Sequence, residues 1–230
     1  MKKIICLLAL SVWTLAASAQ NIKVQTSTFE DYLPLLNEAG YKVYTFDISE
    51  FLNDTYQVNF RIKEYKNNEE INSGMYDFGF VNRRMIKDFP EENQKKIMEE
   101  NLAVNPEAGI YSQASKMTIG LSPYKVDSLK SVFISLDGMG TGGRRLKLQG
   151  LQSPGSDELF YSYQDRPFKQ GKFEEGTFIP LVLFGSFWLD EKYNVFRFCG
   201  ESEIDPDMST EILKHIPHYY VIGVEFKKKE

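Results

Sequence analysis

Two periodicities alternate along the chain. Behind Thr28, residues 29–39 carry acids at Glu30 and Asp31 in a first turn and end at Gly40, which predicts a helix with Pro34 as its one misfit. From Tyr41 the period drops to two. Tyr44, Phe46 and Ile48 alternate with Val43, Thr45 and Asp47, and Tyr56, Val58, Phe60 and Ile62 alternate with Gln57, Asn59, Arg61 and Lys63. Such alternation predicts strands with one wet face, joined here as an antiparallel hairpin across residues 49–54. Pro90 to Leu102 predicts a second helix, with Glu91 and Glu92 placed to favour its dipole.

A looser stretch, Val104 to Ser115, contains Asn105-Pro106 and Gly109 and is the candidate boundary if there are two units. Beyond it the pattern is strand and turn, at 116–122, 131–136, 144–148, 159–164, 177–189, 195–199 and 219–226, with a last short helix at about 206–216. The expected class is mainly β, or α+β by count: antiparallel, sandwich-like sheets with about three short helices, in one domain over 20–230 or in two units divided near 104–115. Residues 178–189 form the most apolar run after the N-terminus. At twelve residues it is too short for a membrane-spanning helix and reads as a buried strand, with Pro180 near its start and a bulge expected at Gly185. An eight-stranded outer-membrane barrel fits the length, but the helices and an end at Phe226–Glu230 without a terminal aromatic tell against it. Residues 52–58 and 189–195 are alike enough to raise an internal repeat, although acidic tips between alternating aromatics recur by chemistry alone.

The N-terminus changes the picture of charge and thiols. Lys2 and Lys3, an apolar stretch from Ile4 to about Ala16, and Ala17-Ser18-Ala19 make the pattern of a secretory signal cleaved after residue 19. The formal charge of −5 becomes −7 once Lys2 and Lys3 leave, a sign that argues against nucleic acid or an anionic bilayer as the main partner. Cys6 leaves too, so Cys199 remains alone and no intramolecular disulfide can form. The expected location is exported, periplasmic or extracellular, with no transmembrane span in the mature chain. In its signal and general texture the chain resembles the uncharacterised secreted bacterial proteins grouped as domains of unknown function. That resemblance implies no activity.

Candidate chemistry is sparse. Gly138-Met139-Gly140-Thr141-Gly142-Gly143 fits G-x-G-x-x-G, but a dinucleotide site needs a helix to start there, and Arg144–Gly150 alternates as a strand. A glycine-rich loop joining two strands is the plain reading; backbone amides with Arg144 and Arg145 could also hold an acidic ligand group. Asp205, Asp207 and Glu211 place oxygens at intervals that raise calcium, yet Thr210 stands where an EF-hand loop needs Gly, and Asp205 as a helix cap explains the pattern. Glu211, His215 and His218 raise zinc, but Pro217 breaks the helix between the histidines. Cys199 reads as a buried small hydrophobe rather than a nucleophile. Glu174-Glu175 and Asp157-Glu158 read as turn decoration, since neighbours on a strand point apart. No metal or cofactor is expected.

Aromatics are plentiful, at Tyr161 and Tyr163, at Trp188 and Tyr193 around an expected hairpin, and at Tyr219-Tyr220. Trp188 and Tyr193, with Arg144 and Arg145, are therefore the candidate ligand-binding residues. The function expected is a non-catalytic envelope module for a glycan, peptide or protein ligand; the alternative is a secreted carboxylate-dependent hydrolase acting on glycans. A shallow aromatic surface near Trp188 favours the first, and acids converging in a deep pocket the second.

Overall fold

The computed structural model describes residues 25–81, 83–103, 105–171 and 174–229. The expected signal, residues 1–19 with Cys6, lies outside them. The chain divides into two compact units, 1–35 and 36–230. Helix α1 (Phe29–Glu38) begins as expected, with Asp31 Oδ2 accepting the Thr28 backbone N–H at 2.7 Å. It ends in a Schellman pair, Tyr41 N–H to the Leu36 carbonyl and Gly40 N–H to that of Asn37, with Gly40 at φ 82°. Helix α2 (Glu91–Glu99) forms within the second helical stretch.

The strands run in chain order as β1 (Lys42–Asp47), β2 (Tyr56–Lys66), β3 (Glu69–Val81), β4 (Arg84–Met85) and β5 (Ile110–Ser112). Next come β6 (Lys116–Pro123), β7 (Leu129–Leu136), β8 (Gly140–Lys147), β9 (Leu151–Gln152) and β10 (Leu159–Phe160). Last are β11 (Tyr163–Pro167), β12 (Phe178–Ser186), β13 (Trp188–Asp190), β14 (Val195–Arg197) and β15 (His218–Lys228). Four make one sheet in the order β1-β6-β7-β8 and five make another in the order β11-β12-β15-β2-β3, with two-stranded ladders β4-β5, β9-β10 and β13-β14 beside them. Every named pair is antiparallel. The mainly-β, sandwich-like class is therefore correct.

The two sheets face each other through the alternation that the sequence displays. Ile119, Leu121, Val132, Ile134 and Leu146 of the first pack with Val58, Phe60, Ile62, Val182, Ile222 and Val224 of the second. Each such side chain stabilises the fold by about 1.5–3 kcal/mol on burial. A second apolar cluster lies on the far side of the five-stranded sheet. There Leu183, Tyr219 and Val221 are covered by Phe168, Phe198, Ile204, Ile212, Leu213 and Ile216. Strands β12 and β15 are thus buried on both faces, which is why 178–189 is apolar without alternation.

Several expectations change. No hairpin forms across 49–54. Residues Ser49–Asn53 make a 3-10 turn, Ile48 N–H bonds to the Ser115 carbonyl, and β1 pairs with β6 while β2 pairs with β15 and β3 in the other sheet. Residues 52–58 therefore lead into β2, whereas 189–195 turn from β13 to β14, so the two look-alike segments are not structural equivalents. The helix expected at 206–216 shrinks to a 3-10 turn at Glu211–Lys214, because Met208 sits at φ 64° and Asp205 closes a tight turn with Thr210 instead of capping. The bulge in β12 falls between Pro180 and Val182, not at Gly185. Gly185 instead makes room: a Cβ there would lie 3.1 Å from Ile216 in the covering layer. Strands on both sides of 105–115 contribute to both sheets.

Candidate functional site

Trp188, Asp190 and Arg197 share one face of the β13-β14 ladder, because Trp188 pairs with Arg197 and Asp190 lies two residues on. They form one wall of an open cleft of about 600 Å³ whose other side is Cys199, Gly200, Glu201, Glu211, Ile212 and His215. The Trp188 indole stacks on the His215 imidazole with centroids 5.5 Å apart and planes 22° from parallel. Phe198, part of the covering cluster, lies beside the indole with centroids 6.1 Å apart and planes tilted by 49°. The cleft's charges are mostly paired. Arg197 Nε lies 2.8 Å from Asp190 Oδ2, and Lys214 Nζ lies 2.6 Å from Glu211. The hydrogen bond from Lys214, and then its charge, hold the Glu211 carboxyl below its ordinary range. Tyr193 stands at the exposed tip of the same hairpin, with the Arg197 guanidinium 4.9 Å from its ring centroid.

Over residues 12–228 the sequence matches the family described as Domain of unknown function (DUF5041). The chain belongs to that family. No curated protein and no solved structure matches it. No described helix of this DUF5041 chain is long and apolar enough to cross a membrane.

Trp188 and Tyr193 thus sit on one hairpin of the DUF5041 fold, but Arg144 and Arg145 are parted. They are neighbours on β8, so Arg144 turns inward over Gly74 of β3 while Arg145 turns outward onto the Tyr124 ring, 4.5 Å from its centroid. The glycine motif is a turn at 137–139 followed by strand. Leu136 pairs with Gly140 and Phe133 with Gly143, and Gly142 lets the Tyr76 and Phe78 rings of β3 approach to 3.5 Å from where its Cβ would be. Cys199 is exposed, since β14 stops at Arg197. Asp205 pairs with Lys169 at 2.6 Å, and Asp207 accepts the Ser209 N–H. Glu175 accepts the Lys228 N–H, and Glu158 follows a turn closed on Ser156. Among the described residues no group of three His, Cys, Asp or Glu side chains is placed to hold a metal ion.

The other histidine joins a constellation that no local motif announces. His218 Nε2 lies 3.1 Å from Glu64 Oε1, and its Nδ1 lies 2.6 Å from the Tyr163 hydroxyl, which itself accepts the Gln149 N–H at 2.8 Å. The Tyr220 hydroxyl is 2.9 Å from Glu64 Oε1 and 2.7 Å from the Lys147 carbonyl, so its proton is shared between the two sheets. Burial pushes the Glu64 carboxyl up, but hydrogen bonds from His218, Tyr220 and Asn72 and the His218 charge outweigh it, and the net direction is down. Burial pushes the Tyr163 hydroxyl well above its ordinary range. Both imidazole nitrogens are engaged and the hydroxyl is made less acidic, the reverse of an activated nucleophile. This network holds the sheets in register.

A cavity of about 670 Å³ opens at the other end of the sandwich, but Ile48, Met117, Leu181 and Phe226 in its wall belong to the inter-sheet core. The Trp188 cleft lies outside that core, with an aromatic platform and polar groups converging on one open space.

Proposed function

We propose that this DUF5041 chain is an exported, non-catalytic binding module of a bacterial envelope that takes a glycan in the Trp188 cleft. Export is supported by the charged start, apolar stretch and Ala17-Ser18-Ala19. One observation carries the ligand class: an indole held flat by His215, in an open cleft rimmed by the Asp190–Arg197 pair, Glu201 and Glu211. A flat ring with hydrogen-bonding groups around it suits a sugar, which presents apolar C–H faces and a polar hydroxyl rim. Two of the carboxylates are engaged by cations, which favours binding over carboxylate-dependent hydrolysis.

The test is a glycan array and a hydrolysis screen on residues 20–230. The expected result is retention of at least one glycan with no release of reducing sugar, and a loss of affinity of about tenfold or more in Trp188→Ala, with the variant still folded at the assay temperature by circular dichroism. Turnover of any glycan would replace this reading with the hydrolase. Equal binding by Trp188→Ala would remove the cleft.

A further inference from the structure

Strand β8 is the free edge of its sheet, and the parity of its ladder decides which of its backbone groups are spare. The Leu148 N–H bonds to the Ser128 carbonyl toward β7, whereas the Gly143 and Lys147 carbonyls accept the Tyr76 and Tyr220 hydroxyls from the other sheet. In an antiparallel ladder a residue's N–H and C=O point the same way, so the Gly143 and Arg145 N–H groups face outward from the edge. An open cavity of about 470 Å³ lies here, lined by Ser131, Gly143, Arg144 and Arg145. The two arginines leave opposite faces of β8, yet both border it. Arg144 is half-buried across β3, where glycine makes the room: a Cβ at Gly74 would collide with its Nη1. Arg145 rests on the Tyr124 ring, 4.5 Å from its centroid. Among the described residues neither arginine has a carboxylate within ion-pair range. The Arg144 charge reaches the Tyr220 hydroxyl, but the Glu64 carboxylate bonded to that hydroxyl is also engaged by His218 and Asn72.

We propose that this edge cavity is a binding site for one oxyanionic group, a carboxylate, sulfate or phosphate carried by a small ligand. Guanidinium suits such a group because its planar fork offers two parallel N–H donors, and the Ser131 hydroxyl and the outward N–H groups add neutral donors around it. A half-buried cation without a counter-ion carries a desolvation cost that a bound anion offsets. None of the four lining residues is an acid, so nothing in the wall competes with the ligand for the guanidinium groups. The charge of the whole chain sets the size of the ligand. At −7 once Lys2 and Lys3 leave, the protein repels a long polyanion away from this edge, whereas a single group within a Debye length of the arginines is governed by them. The site shares no residue with the Trp188 cleft and stands or falls without it.

The experiment is equilibrium dialysis of residues 20–230 against radiolabelled phosphate, sulfate and glucuronate in dilute chloride buffer. The wild-type chain is expected to bind at least one of the three at a single site with a Kd of about 1 mM or tighter, and glucose is expected not to compete. Tighter binding of phosphate or sulfate assigns an ester group and tighter binding of glucuronate a carboxylate; either upholds the site. Arg144→Gln is expected to lose about tenfold or more, and Gly74→Ala, which displaces the guanidinium without removing a donor, to lose several-fold. Lys147→Gln, which removes a cation of β8 that does not line the cavity, is expected to bind as the wild type does, and so is Trp188→Ala. Circular dichroism establishes that each variant is folded at the assay temperature. The site is overturned if the wild-type chain binds none of the three, or if Arg144→Gln binds as well as the wild type. It is also overturned if Lys147→Gln weakens binding as much as Arg144→Gln, which would make the attraction one of diffuse charge, or if Trp188→Ala abolishes it, which would place the anion in the cleft.

Discussion

Glu64 and His218 lie 154 positions apart and meet at 3.1 Å, on adjacent strands at the end of the sandwich where the two sheets exchange hydrogen bonds. The carboxyl is held below its ordinary value of 4.5, so it stabilises the fold above that value and ceases to as pH falls through its lowered folded value. Melting temperatures of wild type and Glu64→Gln, measured from pH 7 to pH 3, should differ most at neutral pH and converge below about pH 4.5. A gap that stays constant over this range would show that the carboxylate charge contributes nothing.

Tyr163 is the link on the other side of the imidazole. Removing its hydroxyl leaves the buried His218 Nδ1 and the Gln149 N–H without partners. Tyr163→Phe should therefore cost about 1–3 kcal/mol, or roughly 2–12 °C in melting temperature for a chain of this size. Tyr161→Phe is the matched control. Its ring lines the same small cavity of about 180 Å³, and its loss should stay within about 0.5 kcal/mol. Calorimetry on both variants separates hydroxyl from ring, and equal losses would contradict the assignment.

The strands that alternate, or that are buried on both faces, were legible because their pattern is imposed by the core itself. Strand β3 was not: Glu69, Glu70, Asn72, Ser73 and Gly74 are too polar to signal a strand, as suits the edge of a sheet. The false hairpin at 49–54 and the false helix at 206–216 have one cause, local patterns overridden by long-range pairing and by Met208 at φ 64°. Trp188 was legible as the one tryptophan of residues 20–230, next to a turn, but its partner His215 was not, since stacking depends on how 195–217 folds back over the sheet. The Glu64–His218–Tyr163 network is assembled from three distant segments and leaves no spacing to read.

Two glycines should respond very differently to alanine. At Gly223 of β15 an added Cβ would strike the Ile179 carbonyl and approach the Phe178 ring to 2.6 Å, and a backbone atom in a central strand cannot step aside. At Gly74 of β3 the obstruction is the Arg144 guanidinium, the far end of a flexible side chain on an edge strand. Gly223→Ala should lose about 3 kcal/mol or more, at or beyond the top of the overpacking range, and Gly74→Ala about 1 kcal/mol or less. Urea denaturation of the two variants gives the comparison, and similar midpoints would mean that β15 shifts more freely than its two-sided burial implies.

Cys199 offers a handle on the cleft that does not alter its aromatic wall. The thiol is exposed and lines the same space as Trp188 and His215. In residues 20–230 it is the one thiol, so about one equivalent of a disulfide reagent should react in native buffer as fast as in denaturant. Cys199→Ser should leave stability within about 0.5 kcal/mol, since no core contact is lost. Attaching a bulky maleimide to Cys199 should then block soluble-glycan binding as strongly as Trp188→Ala does. Unchanged glycan binding after complete labelling would place the ligand outside the cleft.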